Sequence, residues 1–129
     1  MVYKTTMLVL AAALAACQQG TRVEVSGTAK DVRFAAVKKN GGEYRCADKV
    51  SVTPVSPEDA APNWQIVAVD PNKCIREVRY GRDSADFSEQ VPPVPLKNMV
   101  PYRVRISGAG FSAVRDFRLT TNGISQDAD

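Results

Sequence analysis

The chain contains no histidine. That absence removes the commonest general base and nucleophile activator, and with it every Ser-His-Asp or Cys-His arrangement. It also narrows the metal options, because the few cysteines present have no imidazole partners with which to build a zinc site. There is no Gly-Lys-Ser/Thr. Gly108-Ala109-Gly110 lacks the third glycine and the strand-to-helix setting of a nucleotide-binding loop, so it reads as a hairpin turn. A dominant charge is missing too. With 17 basic and 14 acidic residues, the balance points to neither nucleic acid nor an acidic polymer as a partner. No segment has a long 3.6-residue period, and no internal repeat occurs. These absences predict a protein that is not an enzyme and needs no cofactor or metal. A length of 129 residues suits one small domain with a hydrophobic core.

The amino terminus is the most informative stretch. Lys4 precedes an apolar, uncharged run from Met7 to Leu14, followed by Ala15, Ala16 and Cys17. The run is too short to span a bilayer as a mature helix and has the layout of a signal-peptide core. In register with it, Leu14-Ala15-Ala16-Cys17 resembles the lipobox of bacterial lipoproteins. The resemblance implies that the Cys17 thiol receives a diacylglyceryl group, that residues 1–16 are then removed, and that the new amine takes a further fatty acyl chain such as palmitate. The alternatives are an ordinary signal peptide with a chance cysteine, or a buried N-terminal helix. One acyl chain anchors a protein marginally, whereas two or three, at about 0.8 kcal/mol per buried CH₂, hold it essentially permanently. Gln18 rather than aspartate follows the cysteine. By resemblance to enterobacterial lipoproteins, this favours the outer membrane, with the domain facing the periplasm or the cell surface. Lipidation of Cys17 would leave Cys46 and Cys74, and in an oxidising envelope such a pair is expected to be bridged; the alternative is two free thiols. Chain-entropy reasoning for the loop they close gives roughly 3.5 kcal/mol of stabilisation as an upper-side figure.

Beyond a tether at 17–21, the chain reads as β-structure over 22–122 with a flexible tail at 123–129. Alternation in Thr21 to Gly27 and Pro101 to Ser107 predicts half-buried strands, the second with Tyr102, Val104 and Ile106 inward. Val32 to Val37, parts of Glu43 to Thr53, Trp64 to Val69, Cys74 to Tyr80 and Asp116 to Thr121 are further strand candidates, giving about seven in all. Lys38 to Gly42 and Asp70-Pro71-Asn72 are turns. Pro54, Pro57 and Pro62 make 54–63 a loop, Ser84 is placed to cap a single helical turn over Asp83 to Glu89, and Gln90 to Pro95 can be no more than an edge or an extended crossing. The expected fold is therefore all-β, a small sandwich or barrel. Val67-x-Val69-x-Pro71, Ile75-x-x-Val78-x-Tyr80, and Leu96 six residues before Tyr102-x-Val104-x-Ile106 look like the middle and late strands of fibronectin type III domains, over roughly 64–120. Trp64 precedes the first valine instead of following it, and the usual proline after the leucine is absent. The resemblance implies a small immunoglobulin-like β-sandwich after the signal peptide, and no activity.

Three surface features merit weighing. Asp83, Asp86 and Glu89 recur every third residue, unlike the every-second-residue ligands of a calcium loop, and read as a solvated acidic loop beside Arg79 and Arg82. Trp64 and the prolines Pro92, Pro93 and Pro95 read as core and rigid connection before peptide-docking surface. Arg103, Arg105 and Arg118 share the outward parity of two neighbouring strands. Guanidinium forks suit phosphate and carboxylate, so this face is the candidate anion- or partner-binding surface; the plainer reading is an exposed face balanced by Glu24 and Asp116. The expected function is that of a lipid-anchored binding or accessory protein of the cell envelope, held to the membrane by its acyl chains and working with an envelope protein partner, with no nucleic acid. An alternative is an inhibitor of a hydrolase such as a lysozyme or protease, using the proline-bearing loops at 54–63 or 91–101. A small glycan-acting enzyme is the least favoured reading.

Overall fold

The computed structural model describes residues 20–127. Among them are nine strands and no helix: β1 (Thr21–Thr28), β2 (Asp31–Lys38), β3 (Lys49–Pro54), β4 (Trp64–Ala68), β5 (Val78–Arg79), β6 (Phe87–Val91), β7 (Tyr102–Gly108), β8 (Phe111–Thr120) and β9 (Gly123–Gln126). They form two antiparallel sheets, a small one in the order β1-β2-β5 and a large one in the order β6-β4-β3-β7-β8-β9. The small sheet facing the β4-β3-β7-β8 portion of the large one follows the A-B-E over C′-C-F-G arrangement of an immunoglobulin-like sandwich, with β6 and β9 added at the two edges.

Alternation explains most of this. Val23 and Val25 in β1, Val50 and Val52 in β3, and Tyr102, Val104 and Ile106 in β7 are buried, while the residues between them face outward or are half-buried. Trp64, fully buried at the start of β4, packs its ring 5.0 Å from that of Tyr80. Phe34 of the small sheet meets Phe117 of the large one edge to face at 5.4 Å, a contact that ties the two layers together. Tyr102 opens β7 and its hydroxyl accepts a hydrogen bond from the Lys97 amide at 2.9 Å. This is the tyrosine corner of immunoglobulin-like domains, in which the aromatic fills the core while its hydroxyl fixes the preceding connection.

Four segments differ from the sequence-based expectation. Over 74–80 the pairing with β2 is confined to Val78–Arg79 and the Tyr80 amide, which donates to the Val32 carbonyl, because Cys74 is bridged to Cys46 and the Ile75 carbonyl accepts the Ala47 amide, so the first half of the segment is drawn to the loop before β3. Residues 83–89 form no helical turn. The Ser84 hydroxyl accepts the Asp86 amide in a side-chain turn, and Phe87 then enters β6 opposite Ala68, half-buried against the core. As expected of the proline-rich stretch, β6 is an edge. The strand expected from Asp116 begins at Phe111. Residues 123–126 are not a tail but β9: Gly123, at φ 133°, turns the chain back and Ile124 pairs with Leu119 against the core.

Tyr102→Phe keeps the ring and removes the acceptor for the Lys97 amide. Urea unfolding should show a midpoint lowered by about 1 kcal/mol of stability with an unchanged slope; an unaltered midpoint would mean the corner contributes nothing.

Candidate functional site

The free edge of β1 is where the two sheets meet. β1 lies against β8 and β9, and the junction is made by side chains instead of a continuous ladder. The Gln126 carboxamide accepts the Val25 amide at 3.2 Å and donates to the Val25 carbonyl at 3.1 Å. The Arg115 guanidinium donates to the Val23 carbonyl at 3.0 Å and, from its other nitrogens, to the Asp127 carbonyl. Arg115 and Gln126 both stand at inward-facing positions, Arg115 opposite Val104 and Gln126 opposite Phe117. At the rim of the core, each is therefore directed toward β1 and satisfies backbone groups that an edge strand leaves unpaired.

The chain enters at this seam. The Gly20 carbonyl accepts the Lys39 amide at 3.1 Å, so the start of β1 and the loop after β2 are held together. Above them lies an open cleft of about 300 Å³, whose cationic lining is Arg22, Lys39, Arg103, Arg105 and Arg115. Its carboxylates are Asp116 and Asp127. Besides Arg115, two of the cations have clear assignments. Arg103 is clamped to Asp116 by a two-pronged bond at 2.7 and 3.0 Å, which holds its guanidinium more firmly charged than usual. Arg22 pairs with Glu24 at 3.0 Å. Arg105, exposed and opposite Val114, has no hydrogen-bond or ion-pair partner among the described residues.

By register, the outward positions of β3, β7 and β8 carry Lys49, Arg103, Arg105 and Arg118 against a single carboxylate, Asp116. The three arginines expected on one face are on one face, but they do not form one site. Arg103 and Arg105 border both the seam cleft and a second one, of about 390 Å³, lined by Ser51, Thr53 and Glu58 under the loop after β3. Arg118 stands opposite Ser125 and lines neither. Glu24, considered as a balancing charge for this face, is engaged by Arg22.

The other sequence-based candidates also find their places. Cys46 and Cys74 form a disulfide, with Cα atoms 4.7 Å apart. Cys17 lies outside the described residues, as do residues 1–16. Asp83 shares one cleft with Glu89 and another with Asp86, but the three do not gather as a metal-binding group. Asp86 takes the Lys73 ammonium at 2.6 Å, Glu89 is in β6, and among the described residues no group of acidic or cysteine side chains is arranged to hold a metal ion. The loops at 54–63 and 91–101 brace one another: the Asn63 carbonyl accepts the Val94 amide, the Pro101 carbonyl accepts the Val55 amide, and the Tyr80 hydroxyl donates to the Val94 carbonyl at 2.5 Å. Val94 and Met99 project from them about half-exposed, Met99 with a left-handed φ of 64°.

No protein-family model, curated protein or solved structure matches the chain. The site must therefore be read from its own chemistry. Arg115, Gln126, Lys39 and Arg22 are among the members that sequence reasoning missed. The alternation Ala113-x-Arg115-x-Phe117 extends the strand pattern backward and places an arginine among inward residues, a signal that was present in the sequence.

Burial, aided by the neighbouring Tyr102, raises the pKa of the half-buried Tyr80 phenol to about 12. The unfolded phenol ionises near 10, so the fold favours the protonated form. The resulting stabilisation is complete below pH ~10 and lost as pH rises toward 12. Absorbance titration of the phenols should show a late step near pH 12 that Tyr80→Phe removes; a late step that persists unchanged in Tyr80→Phe would contradict this assignment.

Proposed function

We propose that this is a lipid-anchored binding or accessory protein of the bacterial cell envelope, and that it has no catalytic activity of its own. The observation that carries the reading is the pairing of Cys46 with Cys74. Of the chain's three cysteines it leaves Cys17, the one that completes the lipobox-like Leu14-Ala15-Ala16-Cys17, as the thiol available for acylation. A disulfide also suits a domain that works outside the reducing cytosol. The domain then presents to its surroundings two things that suit binding: the arginine-bearing outer face of the large sheet, and the braced proline loops with Val94 and Met99, which are rigid enough to meet a protein partner. The clefts beside Arg103 and Arg105 are open at the surface, and of the carboxylates that line them Asp116 is clamped to Arg103.

Mass spectrometry of the protein purified from membranes tests this, intact and after reduction. The expected mass corresponds to a chain beginning at Cys17 and carrying two or three acyl chains, with a gain of two hydrogens on reduction. A chain that retains residues 1–16 and carries no lipid would sink the proposal.

A further inference from the structure

We infer that the cleft at the β1–β8 seam is a binding site for the phosphate of anionic lipid headgroups, and that it orients the domain on the membrane to which the chain is anchored. The inference rests on the anchoring at Cys17 proposed above. Three arguments bring the cleft to the bilayer. The chain reaches at most ~3.6 Å per residue, so Gly20 lies within roughly 11 Å of Cys17. An acylated Cys17 sits at headgroup level, since its glyceryl and amide groups join the acyl chains there. The Gly20 carbonyl is bonded to the Lys39 amide, and Lys39 and Thr21 themselves line the cleft. The cleft therefore cannot move away from the surface independently of the anchor.

Its chemistry suits that position. Among the side chains that line it, cations outnumber carboxylates, and one of the two carboxylates, Asp116, is already committed to Arg103. Arg105, without a hydrogen-bond or ion-pair partner among the described residues, presents a guanidinium fork, the geometry that binds two phosphate oxygens at once, and Lys39 adds an exposed ammonium at the same cleft. Arg103, fixed by Asp116, serves as a rigid neighbour instead of a mobile competitor. Val114, half-exposed at 48% and also lining the cleft, provides an apolar contact that an inorganic anion would not use but the first acyl methylenes of a lipid would. At physiological salt the field of a charged surface decays over about 8 Å, comparable to the short reach between anchor and cleft, so the cleft's cations feel that field.

The test uses the full acylated protein, its lipidation verified by mass, reconstituted into vesicles of phosphatidylcholine alone or of phosphatidylcholine with phosphatidylglycerol. Modification of arginines by phenylglyoxal and of lysines by an acylating reagent is then read peptide by peptide. Labelling of Arg105 and Lys39 should slow by about threefold or more on the anionic vesicles and recover at high salt, while that of exposed Arg82, on the far seam between β5 and β6, is unchanged. Arg105→Gln, a surface change that leaves the fold intact, should reduce the protection of Lys39. Equal labelling on the two kinds of vesicle would overturn the inference while leaving the anchor standing. Equal protection by inorganic phosphate added to phosphatidylcholine vesicles would overturn the lipid as occupant. Recovery of a chain without acyl groups would overturn both the inference and the proposal beneath it.

Discussion

Two side chains close this domain. A small β-sandwich whose first strand has a bare edge would expose unpaired backbone groups and invite another chain to pair with them. Here the carboxamide of Gln126 meets both polar groups of Val25, and the guanidinium of Arg115 meets the Val23 carbonyl. The rest of the architecture depends on that junction. It joins the three-stranded sheet to the six-stranded one through β8 and β9, beside the Phe117 that meets Phe34, and it uses β9, which forms because Gly123 turns the chain back. It also determines what stands beside the point of chain entry: the start of β1 is held next to the Lys39 loop and beneath Arg105.

The disulfide and the tyrosine corner act on other parts of the same frame. Cys46–Cys74 ties the loop before β3 to the segment before β5, and in doing so limits β5 to two residues. Tyr102 fixes the connection that leads into β7, the strand on which Arg103 and Arg105 alternate with Tyr102, Val104 and Ile106. The outward arginines are therefore displayed by a strand whose inward side chains are among the best buried in the molecule. That rigidity is what a cationic surface needs if it is to keep a guanidinium fork presented without collapsing onto nearby acids.

Much of the fold was legible in the sequence because alternation is a local signal. Val23 and Val25, Tyr102 to Ile106, and the turn at Asp70 were all readable from period and turn chemistry, and the all-β sandwich followed. What was not legible depended on partners remote in sequence. Residues 83–89 look helical-polar until Phe87 finds Ala68; 123–126 look like a frayed end until Ile124 finds Leu119; 74–77 look like a strand until the disulfide holds them elsewhere. The site divides in the same way. Parity alone placed Arg103, Arg105 and Arg118 on one face, but only the register against β8 and β9 pairs Arg103 with Asp116, leaves Arg105 without a partner among the described residues and sets Arg118 apart. Arg115 escaped because an arginine in a strand is ordinarily read as outward, and only the long-range contact with Val23 gives an inward one a role.

The most direct test of this account is the exchange rate of one backbone amide. Val25 donates its N–H to Gln126 across the seam and to nothing else among the described residues. Native-state hydrogen exchange followed residue by residue should find Val25 protected in the parent protein, and fast-exchanging in Gln126→Ala while the amides of β3 and β7 stay protected. A Val25 amide that exchanges in the parent as quickly as an exposed edge would contradict the closed seam, and with it the placement of the cationic cleft beside the chain's point of entry.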